Sequence, residues 1–262
     1  VDNKEVRERL PYSTAFIKSY ESSVHGQALI LRGNAKAANC IDCHNSHKII
    51  PHKYPESSIF KTNVATTCSK CHAAETKEFN ESIHGQALIK GNMDSPSCTD
   101  CHGEHNILTP QDPDSPVNFE NLAEQTCAPC HSSVQLSEQY GFSAGRVQSF
   151  VDSYHGLALR GGSATVANCA SCHGVHNIKP SSDPTSLVHK SNLAETCGSC
   201  HPGANENFAI GTIHLVGTRE EAPIVYWISV VYIILLITIL GGMLIHNTLD
   251  MYRKAVTKLK IR

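Results

Sequence analysis

Twelve cysteines fall into six pairs of the form Cys-x-x-Cys, and histidine follows each pair at once. The six motifs are Cys40, Cys43 and His44; Cys68, Cys71 and His72; Cys98, Cys101 and His102; Cys127, Cys130 and His131; Cys169, Cys172 and His173; Cys197, Cys200 and His201. Residues three apart share one face of a helical turn. Two thiols so placed can bond the two vinyl groups of one porphyrin. The next residue then sets its imidazole on the iron as proximal ligand. Cys-x-x-Cys-His is the attachment signature of c-type haem. Six copies imply six covalently attached haems, each with its iron.

Other cysteine chemistries match the pattern less well. Zinc ribbons use Cys-x-x-Cys pairs but need no histidine after each one. A thioredoxin-like redox pair comes singly in a βαβ setting. Structural disulfides do not keep one spacing six times. On composition alone, six pairs all followed by histidine would arise less than about once in ten million chains.

The motifs belong to a threefold repeat of two motifs each, over about 20–75, 79–135 and 150–205. Each unit opens with Ser-x-His-Gly, at Ser23–Gly26, Ser82–Gly85 and Ser153–Gly156. Its first motif continues x-x-His-x-Ile, through His47, His105 and His176. Its second motif is preceded by Thr67, Thr126 or Thr196. Six haems with two imidazoles each need six distal histidines. His25, His84, His155, His47, His105 and His176 make a complete set. His214, in a partial fourth copy Thr212–Ile213–His214, is a further candidate. His52, His189 and His246 read as ordinary histidines. A histidine three residues after a proximal one points away from its own haem, so His47 is expected to reach a neighbouring one. Spacing leaves the pairing open: His84 lies 12 residues after His72 and 18 before His102. If His84 served His72, His214 would cap the last haem and His25 would be spare.

What positions these residues follows from a shortage of apolar side chains. Ala222–Ile245 holds 19 hydrophobic residues in 24 positions. With cysteines set aside, the rest is roughly 35 % apolar against a usual 45–50 %. Porphyrins, being large flat apolar bodies, would fill that deficit. The expected fold is mainly short α-helices and loops wrapped around six haems, with little or no sheet and one C-terminal transmembrane helix. The extra segment of the third unit, near Leu136–Gln148, reads as a surface loop.

The expected layout is a hexahaem domain at 1–215, a linker at 216–221, a membrane helix at 222–246 and a basic tail at 247–262. Ala222–Ile245 carries no charge and as a helix would be about 36 Å long, enough for a ~30 Å hydrocarbon core. Tyr226 and Trp227 sit where an interfacial aromatic belt belongs. Arg253, Lys254, Lys258, Lys260 and Arg262 follow, against Asp250 alone. Those charges put the C-terminus in the cytoplasm and the haem domain outside, on the periplasmic face of a bacterial cytoplasmic membrane. An export segment is expected to have been removed ahead of Val1. Residues 1–246 carry 17 Lys and Arg against 23 Asp and Glu, a surface unsuited to nucleic acid.

Over residues 12–214 the motifs resemble the multihaem c-type cytochromes of bacterial quinone-linked respiratory chains. The run Gly241–Asn247 with Leu249–Asp250 resembles the segment that joins multihaem domains to a membrane cytochrome b. The resemblance implies a membrane-anchored electron-transfer subunit rather than an enzyme. Its partners would be a cytochrome b or other quinone-reactive subunit, further redox proteins and the bilayer. The alternative is an oxidoreductase acting on a small nitrogen or sulfur compound at a five-coordinate haem. A third class is a structural subunit of a respiratory assembly.

Overall fold

The computed structural model describes residues 14–211, 213–220 and 222–260. Every regular element among them is helical and no strand occurs. The chain divides into two compact units, Val1–Gly211 and Thr212–Arg262.

Each Ser-x-His-Gly opens a short helix: α2 (Val24–Ile30), α6 (Ile83–Ile89) and α11 (Tyr154–Arg160). The serine is the N-cap in all three. Its hydroxyl accepts from the amide of the glycine, at 3.1 Å in the first unit and 3.0 Å in the second. It also donates to the carbonyl of Tyr20, Phe79 or Phe150 at 2.6–2.7 Å. Those carbonyls belong to the preceding helices α1 (Ala15–Ser22), α5 (Ala73–Glu81) and α10 (Gly145–Val151). One hydroxyl thus satisfies two end groups that helices leave unpaired. The glycine is required by contact: a Cβ on Gly85 would lie 2.0 Å from the Phe79 carbonyl oxygen, with the same clash at Gly26 and Gly156. Gly85→Ala should therefore shift α6 and His84 with it and cost about 1–3 kcal/mol. Chemical denaturation of the purified protein checks this; an unchanged midpoint would show that the crossing yields freely.

The first motif of each unit is itself a helix: α3 (Cys40–His44), α7 (Cys98–His102) and α12 (Cys169–His173). A capping box starts each one. Asp42 accepts from the Asn39 amide at 2.9 Å, Asp100 from Ser97 at 2.7 Å, and Ser171 from Asn168 at 3.1 Å. Each helix stops at once on a positive φ, at Asn45 (65°), Gly103 (80°) and Gly174 (80°). That reversal aims His47, His105 and His176 away from their own motif. Second motifs are placed differently, at or after the end of a helical turn: α4 (Val64–Cys68), the π-helical turn Leu122–Cys127 running into α8 (Ala128–His131), and α13 (Leu193–Gly198). Thr67, Thr126 and Thr196 each donate a hydroxyl to a carbonyl nine or ten residues upstream, at 2.6–2.7 Å.

Backbone bonds join successive units. The Val24 amide donates to the Ile107 carbonyl, and the Ile83 amide to the Ile178 carbonyl, both at 2.8 Å. The start of α2 in one unit is thereby fixed to the x-x-His-x-Ile segment of the next.

The segment expected as a surface loop near Leu136–Gln148 is instead largely helical, in α9 (Val134–Tyr140) and α10. Its loss of loop character has a visible anchor. The Tyr140 hydroxyl reaches Asp94 Oδ2 at 2.7 Å and Asn92 Oδ1 at 3.0 Å, across to the second unit.

Among the described residues only Val64, Ala65, Leu88, Ala123, Leu159 and Ala222 are buried apolar side chains, and the largest fully buried ones are serines. So few side chains cannot by themselves hold a domain of this length, which normally buries well over half of its unfolded surface.

The C-terminal helix α14 runs Pro223–Lys260, 38 residues without a break. It is long and apolar enough to cross a membrane over Pro223–Thr257, and it buries none of that surface in the protein. The stretch from Asn247 on, expected as a separate tail, continues this helix. Asp250 pairs with Lys254 at 2.6 Å and Arg253 at 3.1 Å, the one-turn spacing that supports an exposed helix. At its start the Trp227 indole packs on Tyr226 and under the Arg219 guanidinium.

Candidate functional site

Among the described residues five histidine pairs face each other in the first compact unit. His44 faces His105, His72 faces His25, His102 faces His176, His131 faces His84, and His201 faces His155. Their ring centroids lie 6.0–6.1 Å apart in every case, while the angle between ring planes ranges from 6° to 63°. Direct aromatic stacking or edge contact would constrain the angle as well as the distance. A fixed separation with free rotation is what two imidazoles need to share one metal. With metal–nitrogen bonds of about 2 Å on opposite sides, the centroids fall about 6 Å apart.

Each pair joins a motif histidine to one of the recurrent ones. Within a unit, the Ser-x-His-Gly histidine meets the second motif 46 or 47 residues later. Between units, the x-x-His-x-Ile histidine meets the first motif of the unit before. The option that gave His84 to His72 is thus set aside. His84 faces His131, and His25, spare under that option, faces His72. The reason lies in packing rather than distance along the chain. The glycine crossing holds His84 at the start of α6, and the loops carry the later motif back to it.

Burial favours the neutral, ligating form of His25, His44, His84, His102 and His131. Burial, then the facing His131, lowers the His84 pKa to about 4. His25 is lowered by burial and then by His72, and His44 by burial and then by His105. Burial lowers His102 first, followed by His176 and His72. Aromatic rings flank the pairs: Phe142 lies 5.2 Å from His131, Phe208 5.2 Å from His201 and Phe16 5.5 Å from His105. No spacing rule pointed to these three rings. Among the described residues no three Cys, His, Asp or Glu side chains converge on one point. A tetrahedral zinc site needs four such ligands, whereas the imidazoles here meet two by two.

The motif cysteines form a continuous series in sequence order. The Cys43 thiol is pushed up by burial and then by Cys68. The Cys68 and Cys98 thiols lie beside each other, as do Cys127 and Cys169. Cys101, raised to about 11 chiefly by burial, also feels Asp100 and Cys130. Cys172 is raised by burial and then by Cys197. Packing of α3 on α4, α4 on α7, and the π-turn on α12 gives the same neighbours. All twelve cysteines are free thiols, so none is spent on a disulfide.

The remaining candidates are placed as follows. His173, the fifth motif histidine, ends α12. His47 is exposed, with Nδ1 2.9 Å from the Ser46 hydroxyl. His214 lies in the second compact unit. His189 bonds Ser191 Oγ through Nδ1 at 2.7 Å, and His52 and His246 are exposed.

No family model, no curated protein and no solved structure matches this chain.

Proposed function

We propose that the chain is a membrane-anchored hexahaem cytochrome c that passes electrons between a quinone-reactive membrane module, such as a cytochrome b, and redox partners outside the membrane. The observation that carries the reading is the set of five imidazole pairs at one separation, each holding the histidine of a Cys-x-x-Cys-His motif. The residues suit haem c: two thiols for the vinyl groups, one proximal and one distal imidazole, and a shell that buries few side chains of its own. Haem supplies one-electron redox chemistry when bound. The chain's own residues do the rest. At the five motifs so paired, the two imidazoles would hold both axial positions of a haem iron and leave no open site there, which speaks against the oxidoreductase alternative. Burial favours the neutral form of His25, His44, His84, His102 and His131. Adjacent thiols in sequence order, from Cys43 beside Cys68 to Cys172 beside Cys197, set the motifs edge to edge as a relay. The helix α14 holds the relay at a membrane, with the basic end on the cytoplasmic side.

The test is the mass of the denatured, matured chain. It should exceed the apoprotein by six haems, and a complement of five or fewer in fully matured protein would contradict the reading.

A further inference from the structure

The repeat has an open joint at its first unit. Repeat proteins bury each unit's joining face against a neighbour and usually end in an atypical capping unit with a polar face. In this chain the joining face of a unit is its x-x-His-x-Ile segment together with the first cysteine of its first motif. In the second unit that face is engaged by the unit before: His105 meets His44, the Ile107 carbonyl accepts from Val24, and Cys98 lies beside Cys68 where α7 packs on α4. In the third unit His176 meets His102, the Ile178 carbonyl accepts from Ile83, and Cys169 lies beside Cys127 where α12 packs on the π-turn. The first unit carries the same three elements, and among the described residues none of these three contacts is made to them. His47 and Cys40 are exposed, and Ile49 is 65 % exposed, where their counterparts are half-buried. Among the described residues the Ile49 carbonyl receives no bond of this kind. Ile41 beside it is 55 % exposed.

His47 is also prepared as a ligand. Its Nδ1 is engaged by the Ser46 hydroxyl at 2.9 Å, which orients the exposed ring and leaves the Nε2 lone pair for a metal. A hydrogen bond to the far nitrogen is what fixes a metal-bound histidine. Glu104 and Val175 stand at the corresponding position of the other units, so the hydroxyl is particular to the exposed histidine.

Resting on the haem reading above, we infer that His47 is the axial ligand for a haem carried by another polypeptide, one that docks a unit of this repeat kind onto the face formed by His47, Ile49 and Cys40. The docked unit would extend the relay beyond the first motif by the same joint that links the three units here.

A ferric haem peptide with one Cys-x-x-Cys-His, an acetylated amino terminus and no second axial ligand is the probe. It is titrated into the full six-haem protein in detergent and followed by the change of its iron from high spin to low spin. The intact protein should bind and convert it. His47→Ala should weaken that binding by about tenfold or more, while His52→Ala, at another exposed histidine, should leave it as it was. Equal binding by His47→Ala and the intact protein would overturn the inference. So would a high-spin haem in the His47→Ala protein before any peptide is added, since His47 would then serve one of the chain's own irons. A chain found by mass to carry no haem would sink the parent reading instead, whatever the peptide does.

Discussion

Replacing His105 with alanine should leave all six haems covalently attached and turn one iron in six high-spin. On the haem reading the affected iron would be that of the first motif, because His105 faces His44, and not that of its own motif, whose histidine faces His176. Covalent attachment depends on Cys40 and Cys43, which the substitution leaves untouched. Magnetic resonance on the oxidised protein should show the new high-spin signal, and added imidazole should remove it by refilling the position. Combining His105→Ala with Cys40→Ser and Cys43→Ser removes the first motif's attachment and should abolish the signal. If the signal survived that combination, the pairing of His105 with the first motif would be wrong. If His105→Ala alone stayed wholly low-spin, His105 would not be an axial ligand.

The second large effect concerns the anchor. Deleting residues 216–262 removes α14 and should release a soluble protein with all six haems. The first compact unit ends at Gly211, so its internal bonds are untouched by the cut. A chemical reductant should still reduce the truncated protein fully, because every imidazole pair described lies in that first unit. Reduction by membrane quinol should fall to background, because the single helix carries no pair of histidines that could ligate a haem inside the bilayer. Stopped-flow reduction of membranes with intact or truncated protein measures this. Quinol reduction of the truncated form at the rate of the intact one would show that α14 has no part in electron delivery.

The motif pattern alone determined the chemistry on offer, because thiol spacing and the following histidine are local: one helical turn suffices to arrange them. It also determined that the fold is helical and strandless in outline, and that one apolar stretch is long enough to span a membrane. The threefold repeat nominated the distal histidines, since a side chain recurring at fixed offsets in three units has a shared role. What the sequence could not decide is which histidine meets which. His25 and His72 are 47 residues apart, and His44 and His105 are 61 apart and in different units. Such contacts depend on where loops return the chain, and loop-closure cost rises too slowly with length to choose among them. The choice is made by packing: Gly26, Gly85 and Gly156 let two helices touch backbone to backbone, and the Val24–Ile107 and Ile83–Ile178 bonds lock one unit onto the next. The helical character of Val134–Val151 was hidden for a similar reason, because its Tyr140 anchor lies on Asn92 and Asp94, more than forty residues upstream. The open face at His47 became visible only when its two counterparts were seen covered. In the sequence all three histidines look alike, and only the tertiary structure shows that a neighbouring unit covers two of them while His47 is exposed.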